Sequence, residues 1–498
     1  MSASSESLRH VAVVGGGPAG LAAALSAAEF GARVTIIESG RDLGGQYWRH
    51  LPTERDGSGQ ESMHHGWSTF QDLDGRVRAH PAITLLAETT VWAVDAPTGS
   101  PSGSRGGVPA LQLLTGAADA ANRVASTLRP DAIVVATGAH DRTLPFPGWD
   151  LPGVFTGGAA QAFAKSERVA IGSAVVVAGA GPFLLPVAAS LTQVGSRVIE
   201  VVEANRLPRL AAGWLPRPWQ LAGAPGKVQE LFGYVAGQLR HRVPYRVGEA
   251  VVEAHGDGRV ERVTIASVDA QWRPIPGSER VVACDAVCVT HGFTPRLEVA
   301  IAAGCAVSDE RFVLIDESCA SSAEGVFAAG EVTGIGGVDL SLAEGSVAGH
   351  CAAGGSSRDP QIAPHQRKRA VFGSFAARIE AAHGVRPGWQ EWLRDDTIVC
   401  RCEEVTAGQL RAKAAATASR SLRSQKLSTR AGLGICQARI CGRSAEELLA
   451  AAVDPAGGPQ RALDEGIVDR RPIHTPIRLA ELAGISEAHH PLTGRQDP

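Results

Sequence analysis

Short apolar runs, each closed by glycine or by charge, recur along the chain and set out its first elements. Val11-Ala12-Val13-Val14 is strand-length, opens into Gly15-Gly16-Gly17-Pro18-Ala19-Gly20, and passes into an Ala/Leu-rich stretch from Leu21 to Phe30. An apolar run broken by glycines and followed by helix formers predicts a strand, a tight turn and a helix. Arg33 to Glu38 then predicts a second strand ending in an acid. The same order returns at Ala174–Ala178, Gly179-Ala180-Gly181-Pro182-Phe183-Leu184, a helix to about Val194, and Arg197 to Glu203. The spacing from first glycine to terminal acid is 23 residues in the first copy (15 to 38) and 24 in the second (179 to 203). Two tandem nucleotide-type βαβ modules, and hence an α/β fold, are the simplest reading.

Further buried strands are predicted at Asp131–Val135, running into Ala136-Thr137-Gly138, at Ala286–Thr290, and at Gly325–Ala328 before Ala329-Gly330-Glu331. Asp95 to Gly116 is polar and glycine-rich and reads as hairpin loops, and Gly157-Gly158 as a hinge candidate. From 361 to 390 the pattern turns polar and helical, and the last forty residues, rich in Pro, Arg and Asp, predict an extended tail packed over another surface.

Bulk properties narrow the function. The net charge of −3 and 44% hydrophobic content offer no field for nucleic acid or anionic lipid. The polar start Met1–His10 lacks a signal-peptide pattern, and no apolar run approaches the roughly 20 residues of a membrane span. Nine cysteines, four of them in metal-type spacing, suit a reducing compartment, so the expected location is the cytoplasm, with membrane contact only peripheral and through partners.

A bare GxGxxG is a weak signal, but here it leads from a strand into a helix and is answered by an acid. Gly15 permits the turn, Gly17 lets backbone approach a pyrophosphate, Gly20 allows helix and strand to pack, and Glu38 can accept from ribose hydroxyls. Pro18 and Ala19 complete the loop. In the second module Leu184 stands at the third glycine position, where a side chain crowds the nucleotide edge, which argues against NAD(P)H. Were a dinucleotide bound there, Glu203 would favour NAD over NADP by repelling a 2′-phosphate.

Arg41 to Gln46, Ala136-Thr137-Gly138 and Ala328 to Glu331 resemble the two-dinucleotide-binding-domain flavoproteins. The resemblance implies FAD, with Gly45, Gln46, Thr137, Gly138, Gly330 and Glu331 among its contacts, the last standing where that class usually has Asp. The segment Gly334 to Gly345 resembles the helix start that covers the flavin's pyrimidine end. No CxxC pair of the disulfide-reductase kind accompanies these motifs: Cys284 and Cys288 lie in a predicted strand and read as core thiols, and Cys305, Cys319 and Cys351 are isolated.

Cys400 and Cys402, then Cys436 and Cys441, are spaced CxC, 33 residues, CxxxxC. Such a set can close around zinc or around the irons of a [2Fe–2S] cluster. Redox logic favours the cluster, since a flavoprotein gains an electron path from it and only rigidity from zinc. Arg401, Arg439, Lys426 and Arg430 lie near enough in sequence to offset its charge.

Val399 to Thr406 with Thr429 to Gln437 and Arg439 to Gly442 resembles the bacterioferritin-associated-ferredoxin-like [2Fe–2S] domain. Leu144 to Trp149 with Leu151 to Ala159 is similar to a stretch shared by the flavoprotein subunits of hydrogen cyanide synthase, opine oxidase, D-hydroxyproline dehydrogenase and dye-linked L-proline dehydrogenase. The resemblance implies a two-dinucleotide-binding-domain flavoprotein with a small C-terminal iron–sulfur domain. Its expected divisions are an FAD-binding domain in two parts (1–157 and 289–360), a second NAD(P)-binding-like domain (158–288), a helical linker (361–394), a [2Fe–2S] domain (395–455) and the tail (456–498).

It also implies a heteromer whose amino-acid-oxidase-like catalytic subunit oxidises a C–N bond, sometimes joined by another small subunit, with an FMN where subunits meet. Electrons would pass through this chain to a quinone or dye. No Arg, Tyr and His constellation suited to amine recognition is apparent, and His291 reads as packed rather than catalytic. The alternatives are a self-contained NAD(P)H-dependent FAD oxidoreductase with a ferredoxin-like tail, and a non-catalytic zinc-binding module.

Overall fold

The computed structural model describes residues 8–52, 54–55, 59–95, 107–417, 421–453 and 469–483. The first module begins with β1 (His10–Val14), α1 (Pro18–Glu29), β2 (Arg33–Ile37) and β3 (Ile83–Leu86), and β4 (Ala132–Val135) joins them. The second follows as β5 (Val154–Thr156), α2 (Gly157–Ala162), β6 (Ala174–Ala180), α3 (Leu184–Gln193), β7 (Arg197–Glu203), α4 (Pro225–His241), β8 (Tyr245–Val247) and β9 (Ala286–His291). The chain then returns to the first module through β10 (Val326–Ala328) and α5 (Gly337–Ala352), and continues in α6 (Ala363–His383) and α7 (Gly442–Val453).

Two five-stranded parallel sheets result, ordered β10-β4-β1-β2-β3 and β8-β7-β6-β9-β5. The first keeps an unbroken register, Val11 opposite both Val34 and Ala132. The central strands are apolar on both faces because both are covered, one by helices and the other chiefly by an antiparallel sheet: Val91, Leu111 and Leu113 pack on the first module's sheet and Val251, Val263 and Ile265 on the second's. The expected Asp131–Val135, Arg197–Glu203 and Ala286–Thr290 strands all form, with ends shifted by at most one residue. Of the loops expected over Asp95–Gly116, residues 96–106 lie outside the described residues, while Ala110–Thr115 is the middle strand of a three-stranded antiparallel sheet.

Close helix packing fixes the first module. A Cβ at Gly345 or Gly349 of α5 would collide with the Ala19 or Ala23 carbonyl of α1, so these small residues let the helices touch along their length. One reading is corrected: Gly157-Gly158 is not a hinge but the first turn of α2, capped by the Thr156 hydroxyl. A Cβ at Gly157 would stand 2.9 Å from the Phe183 ring, and one at Gly158 would strike the Asp141 carboxylate, so crowding rather than flexibility demands glycine there.

The four-cysteine region is not a bead on a linker. One continuous apolar core runs from Phe146, Trp149 and Val287 through Trp272, Trp389 and Trp392 to Val399, Cys400, Leu410 and Cys441. Trp149 Nε1 donates to the Ile398 carbonyl at 2.6 Å and Trp392 Nε1 to the Trp272 carbonyl at 2.9 Å, which orients the segment preceding the first cysteine.

Candidate functional site

A cavity of about 2470 Å³ opens at the carboxyl ends of both sheets and runs between the modules, the place where open α/β sheets bind ligands. Ten of the twelve nucleotide-site residues named from sequence line it; Gly20 and Gly330 lie behind the wall. Gly15 adopts φ +112°, and a Cβ at Gly20 would collide with the Gly15 carbonyl, so turn and helix contact need both glycines. Gly17, by contrast, is open: a Cβ there would meet nothing nearer than 3.8 Å, leaving room for a ligand at the N-terminus of α1. Pro18 is the first helical residue and Ala19 is buried behind it.

Glu38 closes the loop by accepting from Gly16 N at 2.7 Å and Gly40 N at 2.6 Å. Gly45, at φ +58°, abuts Gly17, and the neighbouring Gln46 carboxamide oxygen accepts from Arg49 at 2.9 Å. Thr137 donates to the Arg296 carbonyl at 2.7 Å, and Gly138 follows at φ +69°. Gly330 is anchored by a residue that sequence reading missed: Glu344 of α5 accepts from Gly330 N at 2.9 Å and from the Thr333 hydroxyl at 2.6 Å. Glu331 keeps one amide, Gly337 N at 3.3 Å, and burial pushes its carboxyl up to about 7. A groove with free helix amides at one end and a lightly satisfied acid at the other fits an elongated nucleotide.

The second module lines the same cavity with Ala180, Gly181, Pro182 and Phe183, but its acid is wholly buried. Glu203 is fully buried, accepting from Gly181 N at 2.8 Å and from Asn205 N and Nδ2, both at 2.9 Å. His383, at the end of α6, places Nδ1 3.0 Å from the same carboxylate, and Trp214 Nε1 donates to His383 Nε2 at 3.1 Å. The acid that would take a ribose is thus occupied by the chain's own groups. Leu184, at the third glycine position, is wholly buried in the core.

His291 is packed, as expected, beside the stacked Trp272 and Trp392 rings, at 6.0 and 5.9 Å, and burial with the nearby Arg142 charge pushes it down to about 3, leaving it neutral. Cys284 and Cys288 are buried thiols, and burial raises both.

The four C-terminal cysteines converge in two contacting pairs, Cys400 with Cys441 and Cys402 with Cys436. The Cys441 contact and the amides of Gly432, Glu403 and Cys402 favour the thiolate at Cys400, while the same contact and burial push the Cys441 thiol up, so the pair shares its proton. Glu404, Gln437 and Ala438 adopt left-handed φ of 53°, 52° and 65°, a set of strained turns that folds the ligand loops onto one another. Among the described residues no three His, Cys, Asp or Glu side chains gather as one metal ion would require. Sulfurs paired two and two fit the two irons of a [2Fe–2S] cluster better than a single zinc.

Of the basic residues noted nearby, Arg430 pairs with Glu403 at 2.7 Å and Arg401 donates to the Asp150 carbonyl at 3.2 Å. Arg439, between the last two cysteines, donates to the Cys436 carbonyl at 3.2 Å, pairs with Glu298 at 2.8 Å, and lines the large cavity. Of the tail expected to be extended, residues 469–483 are described, irregular to 478 and helical over 479–483; they cross this junction, where His474 N donates to the Trp92 carbonyl at 2.7 Å and the His474 carbonyl accepts from Arg439. The rest of the tail lies outside the described residues.

Comparison with known proteins agrees with this anatomy. Residues 9–354 match the pyridine nucleotide-disulphide oxidoreductase family, and residues 398–451 the BFD-like [2Fe-2S] binding domain. The chain is 30% identical to the hydrogen cyanide synthase subunit HcnB of Pseudomonas protegens, over 86% of this chain and 89% of that protein. It is 28% identical to an opine oxidase subunit of Rhizobium meliloti, over 98% and 90%. In fold it resembles L-proline dehydrogenase from P. horikoshii, with a TM-score of 0.64 at 19% identity, covering 96% of this chain and 80% of that one. No helix of the described residues is long and apolar enough to cross a membrane.

Proposed function

Because the chain belongs to the pyridine nucleotide-disulphide oxidoreductase family, in the branch of the hydrogen cyanide synthase and opine oxidase flavoprotein subunits, we propose that it is the electron-transfer subunit of a heteromeric amine or amino-acid dehydrogenase. The family matches imply FAD and a [2Fe–2S] cluster. FAD rests on Gly15, Gly17, Pro18, Ala19 and Gly20 at the pyrophosphate, Glu38 at the ribose, and Gly45, Gln46, Thr137, Gly138, Gly330 and Glu331 along its length. The cluster rests on Cys400, Cys402, Cys436 and Cys441. A flavin exchanges electrons in twos and ones, and a cluster passes them singly, which is the chemistry these groups supply when bound.

The protein's own part is to hold both groups rigidly and keep other donors out. One observation carries the reading: Arg439, three residues from Cys436 and two from Cys441, lines the same cavity as the first module's glycine loop. The loop that carries Cys436 and Cys441 therefore contributes to the wall of the nucleotide groove. The sealed Glu203 and the absence of paired cysteines near the groove among the described residues count against an NAD(P)H-fed or disulfide-relayed route. The amine is oxidised on an amino-acid-oxidase-like partner, and the acceptor is a quinone or an artificial dye.

Co-purification from the native host, with cofactor analysis and an amine screen using an artificial acceptor, tests this. Amine oxidation by the complex and not by the isolated chain is expected. Rapid oxidation of an amino acid by the chain on its own, or rapid flavin bleaching by NADH, would overturn the proposal.

A further inference from the structure

Lys165 is a charged group that the proposed relay has not used. It belongs to Phe163–Glu167, a π-helical turn continuing α2, and wider turns of this kind recur at functional sites. The side chain is only 8% exposed, and lines the cavity. Its ammonium makes a long 3.5 Å hydrogen bond to the Tyr47 carbonyl and stands 6.0 Å from the centre of the Tyr47 ring. Among the described residues no carboxylate pairs with it. His64, lowered chiefly by burial, feels the charges of both Lys165 and Arg168. Burying an ammonium without a counterion is costly, and burial alone pushes this one down to about 8.

Position narrows what could answer the charge. Tyr47 lies two residues beyond Gly45, which abuts Gly17, and its phenol feels the carboxylates of Glu230, Asp339 and Glu331. Asp339 is in the first turn of α5, and Lys227 ties it at 3.1 Å to α4, which roofs the cavity. Lys165 therefore sits beside Tyr47, whose backbone follows the Gly45–Gly17 contact and whose phenol reaches toward the α5 end of the groove. Resting on the FAD reading above, we infer that Lys165 is the countercharge that the protein offers to the reduced flavin ring. Uptake of two electrons and one proton, supplied by the partner's flavin, leaves the ring with one net negative charge. A desolvated ammonium there favours this state over the neutral oxidised ring.

The test uses the full chain carrying its FAD, with Lys165→Met and Lys165→Arg variants. The first readout is the flavin's midpoint potential. The second is affinity for sulfite, whose sulfur bonds to flavin N5 and leaves a negative charge on the ring without any external oxidant. Lys165→Met is expected to lower the potential and to weaken sulfite binding at least about tenfold, the loss of one charge-assisted hydrogen bond. Lys165→Arg should stay within about threefold of wild type, with FAD content unchanged in both.

An unchanged potential and sulfite affinity in Lys165→Met, or a wild-type flavin that binds no sulfite, would overturn the inference. So would loss of FAD from both variants, which would mark the side chain as structural. A wild-type chain that holds no flavin sinks the FAD reading itself, an outcome distinct from the others.

Discussion

Removing the carboxylate of Glu447 should loosen the iron–sulfur region from the nucleotide-binding body. Glu447 is on α7, directly after Cys441, and both its oxygens accept from Arg142, at 2.6 and 2.7 Å, with Arg443 at 3.3 Å. The Arg142 and Glu447 side chains are 10% and 15% exposed. The arginines hold the Glu447 carboxyl below its usual range even though burial opposes this. Breaking a buried pair by deleting one partner costs about 3–5 kcal/mol because the other charge is left unpaired. Glu447→Gln retains one acceptor oxygen but leaves two arginines facing each other, so a loss of about 3 kcal/mol is expected.

Trp149, Trp389 and Trp392 lie in the shared core, so urea unfolding followed by tryptophan fluorescence reads the loss directly. The double variant Arg142→Met with Glu447→Gln should recover about 2 kcal/mol of the summed single costs. The pH dependence has a definite sign. A carboxyl depressed in the folded state stabilises fully above its ordinary value near pH ~4.5 and loses that contribution as pH falls further, so the variant should show a shallower acid limb than wild type. A cost under about 0.5 kcal/mol with no coupling to Arg142 would refute the reasoning.

Cys402 is exposed, unlike Cys400 and Cys441, so Cys402→Ser should abolish the visible absorbance of the cluster while FAD content and melting temperature hold; concurrent loss of FAD would show that the two sites depend on each other. Gly345→Ala drives a methyl into the Ala19 carbonyl beneath the nucleotide loop, and should cost about 1–3 kcal/mol with reduced FAD retention on gel filtration. Glu331, raised by burial from 4.5 to about 7, should make the flavin-free chain most stable below its ordinary carboxylate range, with stability falling as pH climbs between those two values and levelling off above the upper one. Melting temperatures at pH 5.5 and 8 should differ for wild type and converge in Glu331→Gln.

Seven of the ten parallel strands were readable because they are short apolar runs closed by a glycine or an acid, with the period of glycine to acid repeated; Ile83–Leu86, Val154–Thr156 and Tyr245–Val247, only three or four residues long and at or near the sheet edges, were not. The first nucleotide site was readable for the same reason: turn, helix start and acid are close in sequence. What escaped is long-range. Glu344 anchors Gly330 across a loop, His383 reaches Glu203 from a helix 180 residues later, and Arg142 meets Glu447 over 305 residues. None of these pairings leaves a periodic or spacing signal. Lys165 was hidden differently, since a lysine between Ala164 and Ser166 reads as a solvated face until the π-turn directs it inward. Gly157-Gly158 misled because a glycine pair has one appearance in sequence whether it bends or is crowded.

The relay is tested most directly by anaerobic rapid-freeze EPR on the natively co-purified complex after mixing with its amine substrate. Appearance of the reduced [2Fe–2S] signal within one turnover, with the Cys402→Ser complex silent, is the predicted result. A cluster that stays oxidised while the amine is consumed, or a site that yields zinc and no acid-labile sulfide, would contradict it.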